Sequence, residues 1–199
     1  ISNSFITGNS AVQRGGGIYL ATSNLDITDS TISDNSGVYG GAIFAGASSL
    51  AITSSTLSSN FSDVGGGLLL DLSSAEVVRS SIVANTALGP GAGISATNAT
   101  LSISNSTISG NTGVCCTALD ANLSTATITN STIANNTAFV SIGGVRLTDT
   151  NLIAVNNIIA NPVVTTEDCV VTGSSVVSIS HSLVQNPDPA NNCNLSDGV

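Results

Sequence analysis

The chain has 199 residues, 41% of them hydrophobic but only 3% aromatic, and it carries a net charge of -9 with a charged fraction of only 8%. Its three basic residues, Arg14, Arg79 and Arg146, are too few to track nucleic-acid phosphates or hold an anionic membrane, which argues against partners of both kinds. No run of 18 apolar residues is present to insert in a membrane, and the core must be thin and aliphatic.

A unit recurs from one end to the other, most cleanly as NSTISGN at residues 105–111. Aligned on its last asparagine, it places Asn9, Asn35, Asn60, Asn85, Asn111, Asn136, Asn161 and Asn186 at spacings of 26, 25, 25, 26, 25, 25 and 25 residues. Three residues earlier stand Ile6, Ile32, Leu57, Ile82, Ile108, Ile133, Ile158 and Leu183, an apolar column without a gap.

In chain order, each unit predicts three short strands. The first follows a glycine cluster: Gly15–Gly17 before Ile18, Gly40–Gly41 before Ile43, Gly65–Gly67 before Leu68, and so on through Ile94, Leu119, Val145 and Val170. The second alternates apolar and polar, as at Leu25 and Ile27, Leu50 and Ile52, or Leu101 and Ile103. The third is the STI-like segment before the asparagine. Strands repeating every 25 or so residues predict an all-β parallel solenoid of about eight coils, each pairing with its copy roughly 4.8 Å away. The asparagine column is expected at a left-handed turn, with each amide bonding the next coil's amide in a ladder. A leucine-rich repeat would want Leu two residues after the asparagine; Ala11, Gly37, Ser62 and Ala87 stand there instead.

Alternating GGGI or GGAI clusters with STISGN-like segments resemble the right-handed parallel β-helix repeats of secreted bacterial and archaeal surface proteins, including the polymorphic outer-membrane protein and adhesin-like families. The resemblance covers essentially the whole chain, 1–199, read as one domain with residues 186–199 as a partial C-terminal cap. It implies a passenger, stalk or filament on a cell surface, and no cofactor.

Polysaccharide-cleaving relatives of the pectin-lyase superfold need paired carboxylates or acidic cation ligands. Here Asp26 and Glu76 share a column with Ala51 between them, Asp120 has Arg146 as its neighbour, and Glu167 and Asp168 adjoin in sequence, so no catalytic pair is expected. His181, the only histidine, is expected in the turn column of Ser4, Ser30, Ser55, Ser80, Ser106 and Ser131. A binding role is expected of the outward column Tyr19, Phe44 and Leu69, which continues as Ser95, Asp120 and Arg146 and could dock a glycan. Thr31 with Ser33, Thr56 with Ser58 and Thr107 with Ser109 offer a hydroxyl face of the kind ice-binding solenoids use.

Cys169 and Cys193 stand 24 residues apart, nearly one coil, which suits a disulfide, and a vicinal bond between Cys115 and Cys116 is the second expectation. Disulfides would place the chain outside the cell. Because Ile1 already falls on an apolar column, the first coil is expected to pack under a flanking coil or against an identical subunit, head to tail.

Overall fold

The computed structural model describes residues 1–140, 142–161 and 168–185. Asn186, Cys193, Glu167 and the expected cap at 186–199 lie outside the described residues. Among the described residues every element is a short strand, and every strand pairs in parallel with its copy in the neighbouring coil.

The strands stack into four sheets rather than three. Sheet I runs from Phe5–Thr7 and Thr31–Ser33 to Leu183–Val184 and has eight strands, so seven turns of roughly 4.8 Å separate its ends. Sheet II, which the sequence did not predict, contains Ser36–Tyr39, Phe61–Val64, Thr86–Ala87, Thr112–Gly113 and Thr137–Ala138. Sheet III begins with Ile18–Ala21 and sheet IV with Asn24–Thr28, each seven strands deep. Sheet II was hidden because its strands are two to four residues long and one inward position is filled by Gly37, Ser62, Ala87, Gly113 and Ala138, too small to read as an apolar column.

Four corners join the sheets, and most are turned by a residue at positive φ. One corner uses Gly8, Asp34, Ser59, Ala84, Gly110 and Asn135; the next uses Gly15, Gly40, Gly65, Gly91 and Cys116. Gly40 has φ of 72°, where a Cβ would crowd the backbone of Ile43, so glycine is required. The ladder asparagines from Asn9 to Asn136 each follow a left-handed residue and are not left-handed themselves, which corrects the expectation. The left-handed residue swings the chain round and leaves the next side chain pointing inward.

Inside, stacks of aliphatic side chains fill the bore. Ile32, Leu57, Ile82, Ile108 and Ile133 form one fully buried column, with Ile27, Ile52, Val77, Ile103 and Ile128 in another. Each buried aliphatic side chain contributes roughly 1.5–3 kcal/mol, which is how a core forms almost without rings.

One coil is longer in sheet I, and the expected columns slip by one residue there. Ile133 pairs with Ile159, and Ile159 with Val184, so Ile158 and Leu183 face outward instead of filling the core. Likewise Cys169, not Val170, lies beneath Val145. The serine column passes through Asn157 to Ser182, leaving His181 at a left-handed corner with φ of 49° in line with Asn130 and Asn156.

Candidate functional site

The asparagine ladder is the most regular polar feature. Asn60 Oδ1 accepts the backbone N–H and the side-chain N–H of Asn35, at 3.0 and 3.1 Å. Asn60 Nδ2 donates in turn to Asn85 Oδ1 at 2.9 Å and to the Ile32 carbonyl at 3.0 Å. The same geometry links Asn9 to Asn35 and runs through Asn85, Asn111 and Asn136 to Asn161. With every amide partnered inside, the buried column carries no desolvation debt and instead locks the register of each coil.

Two serine-rich ladders do the same at other corners. Ser30, Ser55, Ser80 and Ser106 each give a backbone N–H to the hydroxyl of the next coil, and each hydroxyl donates to a carbonyl two residues back. Ser23, Ser48 and Ser73 form the second such stack. Sequence reasoning placed the first serine column at a turn but did not see that its hydroxyls join the coils.

On the outer surface of sheet III, the expected column is in register: Tyr19, Phe44, Leu69, Ser95, Asp120, Arg146. Its three apolar members are not equally open. Tyr19 is 53% exposed, while Phe44 and Leu69 are buried. The Tyr19 and Phe44 rings stack with centroids 5.5 Å apart, and the Arg14 guanidinium lies 4.9 Å from the Phe44 centroid. Beside them runs a groove of about 240 Å³ lined by Arg14, Tyr39, Phe44, Val64, Leu69 and Asp71, among others.

Further along the column, Arg146 Nε donates to Asp120 Oδ1 at 2.7 Å. The Asp120 side chain is nearly covered and that of Arg146 about one third open. Close by, burial pushes the Cys116 thiol well above its ordinary range, and the Asp120 carboxylate adds to the rise. Cys115 and Cys116 are both free thiols, so the expected vicinal bond is not formed. Adjacency in sequence suggested it, but the chain turns its corner at Cys116, φ 51°, with that thiol buried and Cys115 half-buried. Cys169 is fully buried; its expected partner, Cys193, lies outside the described residues.

Asp26 and Glu76 flank Ala51 on sheet IV, two coils apart, as the columns predicted. Asp168 has a different role: its carboxylate closes the ladder, accepting from the backbone N–H and side-chain amide of Asn161.

Coils that wind parallel strands around an aliphatic bore, locked by stacked amides, define a β-solenoid. The chain belongs to the family described as the right handed beta helix region, whose model matches residues 1–126. Neither a curated protein nor a solved structure matches the chain.

Proposed function

We propose that this β-helix is an extracellular structural and adhesive element, a segment of a surface stalk or a subunit of a head-to-tail filament. The observation that carries the reading is the ladder from Asn9 to Asn161, which makes every coil the template of the next. A rod whose neighbouring coils are tied by backbone, serine and asparagine bonds resists bending, as a spacer must. The same edge geometry suits a coil of another copy, so axial joining needs no new type of contact. A bond between Cys169 and Cys193 belongs to this reading, since it places the chain in an oxidising compartment.

Antibodies against the chain, applied to intact and to permeabilised cells of its source, test the location. Labelling of intact cells is expected; labelling only after permeabilisation overturns the reading. A non-reducing peptide map should join the Cys169 and Cys193 peptides, and free Cys169 in secreted material counts against an oxidising location.

A second reading rests on the groove lined by Tyr39 and Phe44. The half-exposed Tyr39 ring, with Arg14 and Asp71 along the same groove, suits a sugar, whose apolar face can lie on an aromatic ring while its hydroxyls bond charged groups. Binding to a glycan array that Tyr39→Ala and Arg14→Ala both abolish supports this role. Binding unchanged in both variants rejects the groove.

A further inference from the structure

Asparagine stands at six left-handed corners among the described residues, Asn3, Asn98, Asn105, Asn130, Asn135 and Asn156. Four of these have a threonine two residues on: Thr100, Thr107, Thr132 and Thr137. Asn-x-Ser/Thr is the signal read by the enzymes that attach a glycan to an asparagine amide. In a chain this rich in Asn, Ser and Thr the signal recurs through composition, so geometry must sort its copies.

Two described copies fail. Asn60 is buried in the ladder, where its Nδ2 already donates to the Ile32 and Ser58 carbonyls and to Asn85 Oδ1, and Ser62, two residues on, is buried too. Asn122 is half-buried on a strand of sheet III, and the hydroxyl of Ser124 is buried and donates to the Asn122 carbonyl. The four corner copies pass on each count. Asn98, Asn105, Asn130 and Asn135 are all exposed, at φ of 48°, 50°, 50° and 57°. Among the described residues the side-chain amides of Asn98, Asn105 and Asn135 make no hydrogen bond, and that of Asn130 only accepts one, from Asn156 at 3.2 Å, which leaves its Nδ2 free. The hydroxyls of their four threonines are likewise untied within the described chain, and Thr100 is exposed with the other three half-buried.

We propose that Asn98, Asn105, Asn130 and Asn135 are acceptor sites for an N-linked glycan. The inference rests on the extracellular reading above, because the donor, an oligosaccharide carried on a lipid diphosphate, is spent during secretion. The amide nitrogen displaces the diphosphate from the anomeric carbon of the sugar: an N–C bond forms, the C–O bond to diphosphate breaks, and the amide proton passes to the transferase. The product is covalent and distinct from any sugar held in the groove.

Geometry also sets the number. Thr107 pairs with Thr132, so Asn105 and Asn130 turn the same corner one coil apart, roughly 4.8 Å, too close for two branched glycans side by side. One chain therefore carries one glycan on this pair and at most three in all. Asn98 turns the corner between sheets III and IV, the pair that between IV and I, and Asn135 that between I and II. The remaining corner uses Gly40, Gly65, Gly91 and Cys116 and offers no acceptor, which leaves the groove beside it open. All four sites fall within residues 98–135, so the sugar forms a collar around the rod rather than a coat along it.

Secreting the 199-residue chain from a eukaryotic host supplies donor and transferase whatever the chain's own location, and so tests the sites apart from the extracellular reading. Intact mass is read before and after peptide N-glycosidase, which turns each occupied asparagine into aspartate, for the parent and for Thr100→Val, Thr107→Val, Thr132→Val and Thr137→Val. Each variant keeps the left-handed asparagine and a β-branched strand residue, so folding should survive. The parent is expected to lose up to three glycans, with Asn60 and Asn122 bare. Thr100→Val and Thr137→Val should each remove one; Thr107→Val or Thr132→Val alone should remove none, and the two together one. A parent without glycan, or one occupied at Asn60 or Asn122, overturns the proposal. So does a bare chain recovered from the surface of its source cells, a result that leaves the extracellular reading standing.

Discussion

Asp168 Oδ1 accepts two hydrogen bonds from Asn161, one from its backbone N–H and one from its side-chain amide, each at 2.9 Å. An asparagine one coil on would present the same acceptor, yet the group that fills the place comes from only seven residues further along the chain. Asp168→Ala would orphan two buried donors at about 1–3 kcal/mol each, so we predict a loss of roughly 2–4 kcal/mol. Asp168→Asn keeps an acceptor oxygen and should cost far less. Urea midpoints of the two variants decide it; equal losses would mean that the ladder does not need its terminal acceptor.

Within the ladder, Asn111 accepts from Asn85 twice and donates to Asn136 and to the Ile82 carbonyl. Replacing it with Leu should destabilise the protein by about 2–5 kcal/mol, since several buried groups lose partners together. Asn151→Leu, at an exposed strand position beside Val176, serves as the control and should change stability by less than about 0.5 kcal/mol. Similar melting temperatures in the two variants would refute a structural ladder.

Ser62 is the counterexample to full polar satisfaction. Its hydroxyl is buried without a hydrogen-bond partner, in a column whose neighbours are Gly37 and Ala87. Ser62→Ala removes the uncompensated hydroxyl without asking for more room, so a gain of about 1–2 kcal/mol is predicted. A lower melting temperature in the variant would show that the hydroxyl contributes where it stands.

The buried thiol of Cys116 gives a pH dependence with a definite sign. Its folded-state pKa is raised above the ordinary 9.0, first by burial and then by Asp120. The unfolded chain therefore gives up this proton first as pH rises. The stabilisation is fully present below about pH 9 and falls above it, by up to about 1.4 kcal/mol per pH unit. Cys116→Gly, which installs the residue that its left-handed corner column otherwise uses, should flatten that decline. An unchanged slope between pH 9 and 10.5 would assign the loss to other groups.

Arg146 offsets the nearly covered carboxylate of Asp120. Arg146→Leu should cost more than the double change Arg146→Leu with Asp120→Leu, because the single change leaves a carboxylate without its counter-ion. We expect a difference of about 1–2 kcal/mol, given that the arginine is partly open to water. Additive effects in the double-mutant cycle would argue that the pair is not coupled.

Much of this fold was legible because a buried asparagine leaves a mark that composition cannot imitate: it must recur at the coil length, and Asn9 to Asn161 does. The glycine corners were legible for a related reason, since Gly40 stands where a Cβ would strike backbone. What escaped was local. Sheet II turns inward on residues as small as Gly113, so hydrophobic alternation vanished while its outward groups, Leu88 and Phe139, looked like loop residues. The slip at Ile159 escaped because the asparagine spacing stayed at 25 while sheet I advanced by 26, the corner between them being one residue shorter. Asp168 could not be found by period at all, since it reaches the ladder from outside its own column.

The amide-to-amide bonds of the ladder all run one way: one side-chain N–H of each asparagine faces the coil that follows and its oxygen the coil before, while the second N–H of Asn35, Asn60, Asn85, Asn111 and Asn136 returns to a carbonyl of the preceding coil. Aligned dipoles add, so the column is electrically polar, with its donor end toward Asn161. At that donor end stands the Asp168 carboxylate, the arrangement that favours anions at the N-terminus of a helix, realised here in stacked side chains. Two rods lying antiparallel would oppose these dipoles and cancel them, whereas rods joined end to end would lengthen one continuous electret.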